Sequence, residues 1–220
     1  MDVSFALITE GITDQVALEA ILKGHYKRID SDMEVICNPV QPIRDATDES
    51  RQGGFAGWEM VFEACSKTEV AAEALAWNDY LIVQIDTDMG DHANFGLPLA
   101  PDGEVVEETV LVARTRALIA EKFGEAWPSV ENRVFTAVSV HSLECWLLAL
   151  HATTDACSTN NCENRLSHLL ARQNVPYEKV FRCYQDITKD FRKWRRLEQA
   201  CQRRPSLDLF VKSLPIVQQT

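Results

Sequence analysis

The chain has 220 residues, 25% of them charged and 46% hydrophobic, and a formal net charge of −11 at pH 7. That length suits one domain with a small appendage and a core that needs no staples, and no apolar run approaches the ~20 residues of a membrane span. The start, Met1-Asp2-Val3-Ser4, has no basic n-region or small-residue cleavage site, so a cytoplasmic protein is expected.

Val3 to Thr9 reads as a buried strand, followed by a helix from Gln15 to about Gly24 with Thr13-Asp14 as its cap. Met33 to Val40 is a second strand, stopped by Pro39 and Pro42. Residues 43–57 are polar and glycine-bearing and read as a loop. Trp58 to Trp77 reads as one long helix. Tyr80 to Ile85 is the strongest strand signal, and an irregular loop runs from Met89 to Gly103. A helix over Val105 to Gly124 leads to a strand over Arg133 to Val140 and a helix from Leu143 to His151. Beyond a polar stretch, helices are predicted at 162–173, 178–186, 188–203 and 206–213. Strands alternating with helices predict an α/β fold with a mainly parallel sheet. The expected division is a catalytic domain over 1–152 and a helical extension over 153–220 packed on it.

The charge is unevenly spread. Residues 1–164 hold 28 acidic and 10 basic side chains, against 5 and 12 in residues 165–220. The acidic body disfavours general nucleic-acid binding, whereas the basic tail can meet phosphate or answer the acidic body. Lys189, Arg192, Lys193 and Arg196 on one predicted helix are the candidate nucleic-acid contacts. Interleaved Phe191 and Trp194 are expected to pack inward, and Trp58, Trp77 and Trp146 are read as packing aromatics. The seven cysteines, odd in number and scattered, predict reduced, buried thiols rather than a disulfide framework. Cys157 and Cys162, near His151 and His168, have neither ribbon nor finger spacing, so free thiols are favoured over zinc there.

Ligands of parallel sheets bind beyond the carboxyl ends of the strands. The first strand runs into Glu10-Gly11-Ile12-Thr13-Asp14, and the third into Asp86-Thr87-Asp88. Gly11 is expected to let the backbone turn after Glu10. Asp86 and Asp88, two apart, can aim together. Glu144 opens the helix after the fourth strand, at the same edge. Converging carboxylates repel, and a hard divalent ion, Mg²⁺ or Mn²⁺, relieves that repulsion. Asp14 and Glu144 also have plain readings as helix N-terminal acids. His141 reads as structural, or as a partner of Glu144, and Asp91 and His92 as loop residues.

The pattern Glu10-Gly11-x-x-Asp14, then Ile85-Asp86-Thr87-Asp88, resembles the Toprim domain of topoisomerases, primases and overcoming-lysogenization-defect nucleases. His141-Ser142-Leu143-Glu144-Cys145-Trp146-Leu147-Leu148-Ala149 is similar to a stretch of small stand-alone Toprim-like proteins, and Gly53-Gly54 before Trp58 fits that group. The resemblance covers about residues 3–150 and implies a Toprim-like, Rossmann-type sheet. It implies that Glu10, Asp86, Asp88 and Glu144 are catalytic, and that they and Asp14 bind metal. It also implies a lysine near the scissile phosphate, with Lys189 and Lys193 as candidates. A chain this short has no room for a topoisomerase gate or a primase apparatus, which leaves metal-dependent hydrolysis of DNA or RNA. An ATPase partner and a role in defence against phage follow by analogy. Two alternatives stand beside it. One is a non-catalytic Toprim-like binding or regulatory subunit. The other is a haloacid-dehalogenase-like phosphatase, disfavoured because the Asp-x-Asp follows the third strand and not the first. No G-x-x-x-x-G-K-[ST] loop is present, so ATP hydrolysis by this chain is not expected.

Overall fold

The computed structural model describes residues 2–43, 57–152 and 159–217. Gly53-Gly54, Cys157 and the loop predicted over 43–57, apart from its end residues 43 and 57, lie outside the described residues. Strands β1 (Asp2–Ile8), β2 (Glu34–Gln41), β3 (Tyr80–Asp86) and β4 (Val134–Ser139) form one sheet in the order β2-β1-β3-β4. Every neighbouring pair is parallel, as βα alternation demands.

Two helical layers cover the sheet, and the period-2 alternation of β1 serves both. Val3, Phe5 and Leu7 point into one layer, Ala6 and Ile8 into the other. The first layer holds α1 (Ile12–Ile29) and the C-terminal helices α6 (Leu143–His151), α7 (Cys162–Arg172), α8 (Phe181–Thr188), α9 (Trp194–Arg203) and α10 (Pro205–Ser213). The second holds α2 (Trp58–Ser66), α3 (Thr68–Trp77) and α4 (Glu108–Phe123), with a short α5 (Trp127–Val130) leading into β4. Leu166, Tyr184, Phe191, Leu197 and Phe210 share one core with Leu18, Ile21 and Phe5, so the C-terminal helices complete the sheet's first face.

Three helix boundaries differ from the sequence reading. Helix α1 passes through Gly24 to Ile29, because Gly24 is a contact residue and not a terminator. A Cβ there would stand 2.0 Å from the Phe191 carbonyl oxygen. Gly24→Ala therefore sets a backbone clash against a helix-propensity gain of about 1 kcal/mol. The clash wins, since neither backbone can step aside. Net destabilisation of about 1–3 kcal/mol is expected, read as a lower urea midpoint. The helix predicted over 58–77 breaks at Lys67, which takes extended backbone while the Ser66 hydroxyl donates to the Phe62 carbonyl. The helix predicted over 188–203 divides into a 3₁₀ turn at Lys189–Arg192 and α9, with Lys193 extended between them. The basic run thus does not form one helical face.

Trp146 is fully buried, stacked on Phe210, and its indole N–H donates to the Ser206 hydroxyl. Trp58 packs on Phe62 and Phe95. Trp77 does not pack: at the end of α3 it is 83% exposed.

Candidate active site

Strand β2 lies on one side of β1, while β3 and β4 lie on the other. The chain direction across the sheet therefore reverses between β1 and β3, and a crevice opens at their carboxyl ends. Glu10 leaves β1 there and Asp86 ends β3 there. A Glu10 carboxylate oxygen accepts the Asp86 backbone N–H at 2.6 Å, and the carboxylate also accepts the N–H of Trp58 at the start of α2. The Glu10 backbone N–H donates to the Gln84 side-chain oxygen at 3.1 Å, and the Gln84 amide donates to Asp86 Oδ1 at 2.9 Å. Asp86 Oδ2 accepts the Leu143 N–H at 3.3 Å, at the N-terminus of α6. Both acids are thus oriented by backbone donors from neighbouring elements.

Asp14 sits in the first turn of α1 and is buried. The helix begins at Ile12 with Gly11 as its N-cap, not at a Thr13-Asp14 cap. Gly11 has ordinary extended backbone, so left-handed freedom is not its role. It leaves room: a Cβ at Gly11 would meet Asp14 Oδ2 at 3.0 Å. Asp88 follows β3 in a turn pinned to β4. The N–H groups of Thr87 and Asp88 donate to the His141 carbonyl, and the His141 N–H donates to Thr87 Oγ1. His141 closes this lock with a φ of 63°, a left-handed backbone that costs a non-glycine residue energy and is tolerated where surroundings impose it. Asp91 accepts the Leu99 N–H within the following loop.

Glu144, on the first turn of α6, is buried and heavily bonded. One oxygen accepts the Tyr184 hydroxyl at 2.6 Å, lies 3.4 Å from the Tyr177 hydroxyl, and pairs with Lys179 Nζ at 3.2 Å. Lys179 also pairs with Glu163 at 3.3 Å. Asp86, Asp88, Glu144, Glu163 and Lys179 line one open cleft of about 310 Å³.

Burial and crowding decide the charge state. Burial, offset in part by the Asp86 N–H, pushes Glu10 up to about 7. Burial, then repulsion from Glu10 and Glu144, holds Asp14 well above the usual carboxylate range. Burial, then repulsion from Asp14, Glu10, Glu144 and Asp88, does the same to Asp86, and burial raises Asp88. Glu144 goes the other way. Burial would raise it, but the Lys179 ammonium with the Tyr184 and Ser142 hydroxyls outweighs that cost. Five carboxylates therefore share one field, and one ammonium answers them.

Sequence reasoning brought Glu10, Asp14, Asp86, Asp88 and Glu144 to one sheet edge, and all five meet there. It missed Gln84, whose signal was a lone amide inside the apolar run Tyr80–Asp86. It missed Lys179, Tyr177 and Tyr184, which follow Pro176 far along the chain. The lysine of the cleft is Lys179; Lys189 and Lys193 stand elsewhere. They flank Phe191, which packs on α1 at Gly24, ten residues and about 15 Å along the helix from Asp14. Lys193 pairs with Asp190, and Arg196 donates to the Leu150 carbonyl, whereas Lys189 and Arg192 are exposed. Cys162 is bonded to Cys145, so the expected set of wholly reduced thiols is revised; the cross-link also withdraws Cys162 as a zinc ligand. Cys37, Cys65, Cys183 and Cys201 are free.

Among the described residues, no three acid, imidazole or thiol groups are already drawn into the geometry of a bound ion. The donor chemistry nonetheless suits a hard divalent cation: carboxylate oxygens, partly desolvated, mutually repelling and open to a cleft. Comparison of the chain with protein-family models, curated proteins and solved structures returns no match.

Proposed function

We propose that the chain is a divalent-metal-dependent phosphodiester hydrolase of Toprim kind, acting on DNA or RNA. The observation that carries this reading is the gathering of Glu10, Asp14, Asp86, Asp88 and Glu144 at the β1–β3 switch point, where burial and mutual repulsion hold protons on groups that a cation would deprotonate. Glu10, Asp86 and Asp88 would hold Mg²⁺ or Mn²⁺, with Asp14 behind them and Glu144 at the rim. The ion would supply Lewis-acid polarisation of a phosphoryl oxygen and a more acidic water.

The chain's own residues do the rest. Backbone donors from Asp86, Trp58 and Leu143 fix the carboxylates before substrate arrives, so little reorganisation is left for the reaction. Lys179, held by Glu144 and Glu163 at the cleft wall, is placed to meet a phosphate oxygen. Exposed Lys189 and Arg192, with Lys193 and Arg196, would hold flanking backbone phosphates. A cytoplasmic setting, an ATPase partner and a part in defence against phage belong to the same proposal and rest on the resemblance alone.

The test is incubation with labelled single- and double-stranded DNA and RNA in Mg²⁺, Mn²⁺ or EDTA. Cleavage that EDTA stops is the expected result. No cleavage on any substrate, with no Mn²⁺ binding by calorimetry, would sink the reading. Lys179→Met is expected to slow cleavage by on the order of 10²-fold, as for other lost charge contacts to a reacting anion. Folding should survive, since the Tyr184 hydroxyl still satisfies Glu144. Single-turnover rates at saturating Mn²⁺ check it.

A further inference from the structure

Two cysteines stand next in sequence to two acids of the cleft. Cys145 follows Glu144 on the first turn of α6, and Cys162 precedes Glu163 on the first turn of α7. The two are joined as a cystine with Cα atoms 5.0 Å apart. Both are buried, yet Cys162 forms part of the cleft wall, where a small thiol or disulfide can reach it.

We propose that Cys145 and Cys162 are a reversible thiol–disulfide site that controls how firmly the first turn of α7, and with it Glu163, is held over the cleft. The attachment of that turn is local. Cys145, Leu148 and Cys162, with Leu169 beside them, make a small apolar cluster separate from the two main cores. The far half of α7 is anchored independently through Leu166 and Leu170. Breaking the bond therefore releases one turn and leaves the helix docked. The reduced state is also provided for: each sulfur lies within 3.3 Å of the Thr159 carbonyl oxygen, which can accept from either thiol. What the released turn carries is Glu163, one of the two acids that hold Lys179 in place.

The chemistry balances with a low-molecular-weight disulfide as oxidant. The Cys162 thiolate attacks it, forming a mixed disulfide and expelling one small thiol. The Cys145 thiolate then displaces the second. The two protein thiols are oxidised, the small disulfide is reduced, and the two protons end on the released thiols. A dithiol reverses both steps.

The test compares one protein in two redox states, so it does not depend on a variant folding. Exposure to glutathione disulfide should remove two hydrogens per chain, and peptide mapping should join Cys145 to Cys162. Dithiothreitol should restore both thiols. Cys183→Ser should behave as the wild type, and Cys145→Ser should not form the link. Backbone hydrogen exchange over residues 160–165 should be about tenfold faster in the reduced form, as expected for local opening. Mn²⁺ affinity should be about fivefold or more weaker in the reduced form, where the cleft wall is less pre-organised. Only this last readout rests on the proposed function. If neither state binds Mn²⁺, the metal reading fails, while a redox difference in exchange still supports the brace. Failure of the cysteines to link, or a link that leaves exchange unchanged, would overturn the inference.

Discussion

Asp86→Asn should abolish most metal-dependent cleavage, with a loss on the order of 10²–10³-fold, the usual cost of one fixed electrostatic contact to a reacting centre. The argument is positional. Asp86 is the last residue of β3, and its two oxygens are held by different elements, Gln84 on one side and the start of α6 on the other. Asn is isosteric and keeps an oxygen for the Leu143 N–H. The substitution therefore removes a charge without removing the scaffold. Calorimetry should show Mn²⁺ binding lost together with activity, while the thermal midpoint in EDTA stays equal or rises. Glu10→Gln should lose activity to a similar degree. Wild-type rates in Asp86→Asn would show that the switch-point cluster is not the reacting site.

In EDTA the protein should lose stability as the pH rises. Glu10, Asp14 and Asp86 all have folded pKa values above their unfolded ones, mainly through burial. The folded state then binds more protons than the unfolded state, so stability falls with pH. The favourable contribution is complete below about pH 4, the range of ordinary carboxylates. It is lost progressively as the pH climbs through about 7 for Glu10, and higher for Asp14 and Asp86. Asp14→Asn removes one member of the cluster in its neutral shape. It should raise the EDTA-state stability at pH 7 by roughly 1–2 kcal/mol, the scale of relieving a functional-site cost, and flatten the slope. Saturating Mn²⁺ should offset the same loss in the wild type, by about 2.7 kcal/mol at a hundredfold excess over Kd. Urea unfolding at pH 5, 7 and 8, with and without Mn²⁺, reads both effects. A wild-type slope of opposite sign would mean that these acids are not crowded in solution.

Local sequence carried the sheet and its acidic edge well. Each strand is a compact apolar run, and the residues just after β1 and β3 announce themselves because acids rarely follow such runs without cause. The helix boundaries were less legible because they answer to tertiary contacts. Gly24 looks like a stop signal, yet is the only residue small enough to pass Phe191. The partners of Glu144 were hidden for a related reason. Tyr177, Lys179 and Tyr184 lie 33 to 40 positions away, with no periodicity to tie them to α6. The cystine was obscured by its setting: two cysteines 17 apart in a chain with an odd cysteine count look like buried thiols until α6 and α7 are seen side by side.

The Arg204–Glu108 pair bears on a different matter, that of strand exchange between molecules. Arg204, fully buried, donates to Glu108 at 2.7 Å, and the Ser206 N–H donates to the other Glu108 oxygen. Glu108 opens α4 in one helical layer, and Arg204 stands between α9 and α10 in the other. The pair clasps the two layers around the β4 side of the sheet, where α10 lies against the strand. That margin would otherwise offer a row of backbone donors and acceptors to a second chain. At the opposite margin, Pro39 interrupts β2 and removes one donor. The molecule is thereby guarded against growing its sheet into a fibre, and loosening the clasp would expose it to polymerisation before it unfolds.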